Sequence, residues 1–202
     1  MSAVPKRLAF IIASTRTPRA GPAIAKVVTG IITPLLPAHI TLTVIDLMDH
    51  PLPLYTADPI IPAGITRPVP ATAYADPTTN AWSALVRSFD AFIFLTPQYN
   101  WGYPAVLKLA LDALYHEWAG KPALVVSYGS RGGGKAAGQL KQVLMGLHMR
   151  VCERGVELPF GKGHNLGGGD LGQETNDRWR AEKKKAEMVQ AWDELVGLID
   201  AP

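Results

Sequence analysis

A single cysteine, Cys152, in 202 residues rules out an intrachain disulfide and a thiolate cluster for a metal. Charge is sparse as well. Asp, Glu, Lys and Arg make up 18% of the chain and the formal net charge is +3, too little to argue for nucleic acid. No apolar run approaches the roughly 20 residues of a membrane span. The histidines, at 39, 50, 116, 148 and 164, have no metal-ligand spacing, and no nucleophile elbow or triad is present. Asp112 and Glu117 do not form an obvious acid/base pair. Lys6 and Arg7 followed by residues 8–13 resemble a secretory signal only superficially, because the apolar run is short and Arg16 and Arg19 follow. A cytoplasmic protein without membrane or nucleic-acid partners is expected.

What is present is apolar, at 48% of residues, in an amount that suits one domain spanning 1–202. Short apolar runs alternate with helical periodicity along the whole chain. Strands are expected at 8–12, 41–47, 91–95, 123–127 and 151–158. Helices are expected from the spacing of Ile24, Val27, Val28, Ile31 and Leu35, and again of Trp82, Leu85, Val86 and Phe89. A third follows Pro104 and buries Val106, Leu107, Ala110, Leu111 and Leu114; a fourth covers 135–149, and a long closing helix covers 175–199. Five strands, each followed by a helix, predict an α/β three-layer sandwich with helices on both faces of a parallel sheet. The natural topology is flavodoxin-like, five strands in the order 2-1-3-4-5.

Two segments break this rhythm. Residues 51–79 hold seven prolines, which exclude regular helix or central strand and suggest a covering loop, an oligomer contact or a surface excursion. Residues 160–173 are glycine-rich. Cys152 lies in an apolar-alternating stretch as a half-buried, inert thiol. Lys183, Lys184 and Lys185 read as a solvated helix face.

The chemistry concentrates in loops that follow strands, where open α/β sheets bind ligands. The first loop carries Ser14, Arg16 and Arg19 before a helix opened by Gly21, Pro22 and Ala23, an arrangement suited to an anion such as a monophosphate. The second, Pro97, Gln98, Tyr99, Asn100 and Trp101, offers amides and ring faces but no carboxylate or histidine. It suits a flat, hydrogen-bonding ring such as a flavin, although Asn100 as a helix cap would also account for part of it. The third, Tyr128, Gly129, Ser130, Arg131 and Gly132, lets backbone N–H groups approach a ligand closely. It nearly matches a P-loop, but Ala136 stands where the Mg²⁺-binding hydroxyl belongs. Three ligand-grade loops without acid, base or nucleophile imply that a cofactor carries the chemistry.

In Ser14-Thr15-Arg16 with Gly21-Pro22, in Pro97-Gln98-Tyr99-Asn100, and in Ser127-Tyr128-Gly129, the sequence resembles the NADPH-dependent FMN reductase family of flavodoxin-like quinone, azo-dye and chromate reductases. The resemblance implies FMN as cofactor, with its phosphate at Ser14, Arg16 and the backbone of Gly21, Pro22 and Ala23. It places the ring and ribityl chain along residues 97–101 and the ring's other edge at residues 128–132. It implies NADPH or NADH as donor, a quinone, flavin or similar small molecule as acceptor, ping-pong hydride transfer, and a homodimer or homotetramer. Gln98 departs from the glutamate usual in the family, which implies a raised flavin potential if its side chain faces the ring. An FMN-binding electron carrier, or a redox-sensing flavoprotein with little NAD(P)H activity, is the alternative reading.

Overall fold

The computed structural model describes residues 4–162 and 170–201. The strands are β1 (Lys6–Ile12), β2 (Ile40–Asp46), β3 (Ala91–Pro97), β4 (Pro122–Gly129), β5 (Arg150–Val151) and β6 (Val156–Pro159). The helices are α1 (Gly21–Ile32), α2 (Pro77–Arg87), α3 (Ala105–Asp112), α4 (Gly134–Gly146), α5 (Gly172–Ala181) and α6 (Lys184–Asp200). All pairings between named strands are parallel and the order is β2-β1-β3-β4-β5, with β6 also on β4. This is the flavodoxin-like arrangement expected from the sequence.

Alternation along β1 explains the layers. Leu8, Phe10 and Ile12 join α1, α5 and α6 in one core, while Ala9 and Ile11 join α2, α3 and α4 in the other. β3 is buried at every position, as a central strand covered on both faces must be. Trp118, Phe92 and Phe94 form an aromatic cluster in the second core, with Phe92 edge-on to Trp118 at 5.1 Å between ring centroids.

The expected fifth strand over 151–158 is two strands. Val151 pairs with Ala123 and Val156 with Val126, so four residues, Cys152 to Gly155, lie opposite two. Glu194 accepts the Glu153 and Arg154 amides, and Lys141 donates to the Glu153 carbonyl, which satisfies the bulged backbone. Cys152 is fully rather than half-buried there, and burial pushes its thiol up to about 12. The expected closing helix over 175–199 is also two, broken at Lys183 with φ 55°. The break lets Trp179 on α5 reach the Pro159 carbonyl while Met188 and Trp192 on α6 enter the same core.

The proline-rich segment ends sooner than expected, because Pro77 opens α2 and Asp76 caps it by accepting from the Thr79 amide at 2.6 Å. The segment is tied down through Tyr74, whose hydroxyl donates to the buried Glu117 carboxylate at 2.9 Å; Ser83 on α2 donates to the same oxygen at 2.6 Å. Two apolar positions face water more than their periodicity implies: Leu35 lies in a 3₁₀ turn beyond α1, and Val106 is only half-buried. The glycine-rich stretch is helical from Gly172 onward; residues 163–169, His164 included, lie outside the described residues.

Candidate functional site

The carboxyl ends of β1, β3 and β4 open on a cavity of about 560 Å³. Arg16, Gln98, Tyr99, Tyr128 and Ser130 line it, as do Pro97 and Gly129. The three loops singled out in the sequence therefore converge, because β1, β3 and β4 are adjacent in the sheet. Among the described residues the lining contains no carboxylate and no histidine, whereas Arg16, Arg19, Lys162 and Arg178 all border it. Such a lining favours an anion and leaves proton transfer without a carboxylate or imidazole.

The floor of the first loop is unusual. Ser14 is fully buried and Tyr128 is 4% exposed; their hydroxyls face each other, and neither meets a further hydrogen-bond partner of good geometry among the described residues. Both lie over Gly21, where an added Cβ would sit 2.1 Å from Ser14 Oγ and 3.1 Å from Tyr128 Oη. Orphaned buried hydroxyls cost free energy unless a ligand completes them. Burial also pushes the Tyr128 phenol above its ordinary range, so it stays a neutral donor. Pro22 and Ala23 supply the first turn of α1 behind this floor rather than lining the cavity.

In the second loop, Asn100 does not cap α3. Asn100 and Trp101 have φ 47° and 70° and form the two-residue tip of a tight turn closed by reciprocal bonds between Tyr99 and Gly102. This turn carries the Trp101 ring out of the cavity, 65% exposed, with Lys135 Nζ 5.4 Å from its centroid. Tyr99 stays at the cavity with the Arg16 guanidinium 3.6 Å above its ring. Gln98 has a double role: it lines the cavity, and its Oε1 accepts from the Lys135 and Ala136 amides at the start of α4.

In the third loop, Gly132 and Gly133 take φ 89° and 87°, and a Cβ on Gly133 would meet the Tyr128 backbone at 3.0 Å. The chain turns back on itself so sharply that Ser127 Oγ donates to the Gly132 carbonyl at 2.9 Å. Gly132 is thereby buried away from the main cavity, and Arg131 borders a neighbouring groove with Trp101, Lys135 and Glu157.

Several contributors are not marked by the sequence pattern, Lys162 at the cavity rim among them. Phe160 follows β6 and packs edge-on against Tyr128 at 5.8 Å between centroids. Arg178 on α5 donates to the Phe160 carbonyl at 2.7 Å and borders the cavity. Asp46, at the end of β2, holds Arg19 from behind. Only Asp46 had a usable signal, an acid at the carboxyl end of the strand beside β1. Among the described residues, no group of three or more His, Cys, Asp or Glu side chains could hold a metal ion.

Comparison with known proteins gives the family and the fold. A family model described as NADPH-dependent FMN reductase matches residues 6–163. An NAD(P)H-dependent FMN reductase of Saccharomyces cerevisiae is 46% identical over 160 residues, covering 77% of this chain and 82% of that protein. A second NAD(P)H-dependent FMN reductase, from Nectria sp, is 33% identical over 202 residues, covering 97% and 98%. Among solved structures, a flavoenzyme NAD(P)H:(acceptor) oxidoreductase of Paracoccus denitrificans shares the fold with a TM-score of 0.63 at 20% identity, over 95% of this chain and 98% of that one.

Proposed function

The chain belongs to the NADPH-dependent FMN reductase family, and from that premise we propose that it is an FMN-containing oxidoreductase that uses NADPH or NADH to reduce quinones, flavins or similar small acceptors. The observation that carries this reading is the cavity itself: a cationic rim, an aromatic wall that includes the buried Tyr128 hydroxyl, with Ser14 buried behind it, and no carboxylate or histidine among the described lining residues.

The residues present fit FMN. Ser14 Oγ, the Arg16 guanidinium and the backbone of Gly21, Pro22 and Ala23 would hold the phosphate at the positive end of α1. Pro97, Gln98, Tyr99 and Asn100 would border the ring and ribityl chain, with Trp101 at the outer edge, and Tyr128, Gly129 and Ser130 would form the opposite side, Arg131 and Gly132 standing outside this cavity. The chemistry that FMN supplies when bound is two-electron transfer from NAD(P)H to the acceptor, in ping-pong order at one site. The chain's own residues then bind and orient. Arg16 stiffens Tyr99, Gln98 is locked in place by two amides of α4, and the apolar faces of Pro97, Tyr128 and Phe160 exclude water. At about 0.3 kcal/mol per atom for roughly 31 heavy atoms, FMN would gain about 9 kcal/mol, which corresponds to sub-micromolar binding.

We further propose a homodimer or homotetramer. Met48, Leu54, Tyr55, Ile60 and Ile61 stand exposed on and beside the proline-rich segment, more apolar surface than a loop needs. No helix among the described residues is long and apolar enough to cross a membrane, and a cytoplasmic location is part of the proposal.

The test is optical. Purified protein reconstituted with FMN is mixed anaerobically with NADPH and then with a quinone. Bleaching of the yellow colour, restored by the quinone, is expected. Colour that NADPH and NADH both leave unchanged would favour an electron carrier or redox sensor, and failure to take up FMN would overturn both.

A further inference from the structure

Arg19 and Asp46 form an ion pair behind the phosphate loop. Arg19 Nη1 donates to the Ser14 carbonyl at 2.7 Å and to Asp46 Oδ1 at 2.8 Å, and Nη2 donates to Asp46 Oδ2 at 2.6 Å. Both side chains are only 18% exposed. Asp46 also accepts from the Met48 amide at 3.1 Å, which fixes the carboxylate at the end of β2. The contact is dictated by register, since Ile12 and Asp46 are opposite one another on adjacent strands. Three guanidinium N–H groups are committed by these bonds, so Arg19 is anchored in a way that Arg16, exposed and stacked on Tyr99, is not.

We propose that Arg19 and Asp46 act together as positioning residues for the phosphate loop, holding the Ser14 backbone so that its buried hydroxyl stays beside Gly21 and Tyr128, ready for a phosphate ester. This rests on the reading of the cavity as an FMN site. A solvent-exposed ion pair would contribute little. This pair is bidentate, mostly buried, and carries a third bond to the backbone of the very residue whose hydroxyl is orphaned. The two members are not equivalent. Asp46 alone would place an uncompensated carboxylate beside a site meant for a phosphate dianion; Arg19 both neutralises it and draws the Ser14 carbonyl inward.

Riboflavin separates positioning from mere structure, because it has the same ring and ribityl chain but no phosphate. FMN and riboflavin are titrated against wild type, Arg19→Ala, Arg19→Lys, Asp46→Ala and the Arg19→Ala/Asp46→Ala double variant, following flavin fluorescence, with thermal unfolding of each apoprotein alongside. Arg19→Ala is expected to weaken FMN about 10- to 100-fold, the size of losing hydrogen bonds to a charged group, and to leave riboflavin within about twofold. The double variant should bind FMN at least about threefold better than Arg19→Ala, because the unpaired carboxylate is gone. If Arg19→Ala does not fold, Arg19→Lys carries the test: it keeps the charge, loses the fork, and should selectively weaken FMN. Unchanged FMN affinity in both Arg19 variants overturns the proposal, as does an equal loss for FMN and riboflavin. A double variant no better than Arg19→Ala overturns the counter-charge role of Asp46. Wild type that binds neither flavin, or binds both equally, overturns the underlying reading of the site instead.

Discussion

Arg16 and Arg19 are three positions apart in one loop and are placed for different work. Arg16 is exposed over the Tyr99 ring at the cavity mouth, whereas Arg19 is bonded inward to Asp46, which holds its guanidinium above its ordinary range. Arg16→Ala should weaken FMN by about 1.5–3 kcal/mol if the guanidinium bonds the phosphate; equilibrium dialysis showing wild-type affinity would remove that assignment. Gln98 is the other residue whose meaning depends on its surroundings. Its Oε1 rests on two amides at the positive end of α4, so Gln98→Glu puts a carboxylate where the helix dipole favours one. The variant should gain about 0.3–1 kcal/mol of stability by urea unfolding. It should also lower the potential of bound flavin in a redox titration, since the added charge borders the cavity. A gain in stability with no change in potential would leave Gln98 as a cap alone. The orphaned hydroxyls of Ser14 and Tyr128 were not legible in sequence, because their burial follows from the approach of α1 to β4 over Gly21.

The turn from α2 through β3 to β4 shows how elements are tied where sequence pattern is silent. Lys121, just before β4, donates to the Val86 carbonyl of α2 at 2.8 Å and lies 5.6 Å from the Phe92 ring centroid. Burial lowers it from 10.5 to about 8, with Asp90 and Glu117 opposing the shift and Arg87 adding to it. Below about 8 both folded and unfolded chains hold this proton and its burial cost is constant. Between about 8 and 10.5 only the unfolded chain holds it, so stability rises with pH across that window. Lys121→Met removes the dependence. Its stability relative to wild type, measured by urea unfolding, should therefore be highest near neutral pH and fall as pH approaches 10. A constant difference would show that Lys121 does not titrate abnormally. The comparison with the variant is needed because Cys152, raised from 9.0 to about 12, acts in the opposite direction over an overlapping range. Element boundaries followed the same logic. Periodicity located β1, β3, β4 and α1 within a few residues, but the breaks at residues 152–155 and at Lys183 come from packing of α5 and α6 on the sheet edge, which no local pattern encodes.

At the scale of the whole molecule, the exposed apolar side chains of the proline-rich segment predict self-association. Ile61 is 74% exposed, so Ile61→Asp should leave the monomer's thermal stability nearly unchanged while shifting the sedimentation velocity profile toward monomer. An unshifted profile in the variant, or a monomeric wild type, would remove this surface from the assembly. By itself the sequence determined the α/β class, the parallel order and the three loops that meet at the cavity. A strand as apolar as β3 must be covered on both faces, right-handed crossovers leave few topologies, and the loops after β1, β3 and β4 then fall together at the carboxyl ends of the strands. Only the tertiary structure decided which side chains face one another across those loops. The Arg19–Asp46 fork spans 27 residues, and Phe160 and Arg178 reach the cavity from the far edge of the sheet. Trp101, the most conspicuous aromatic in the sequence, is turned outward by two positive φ angles. Such meetings depend on strand register and backbone handedness, quantities that a pattern of residue types along the chain does not carry.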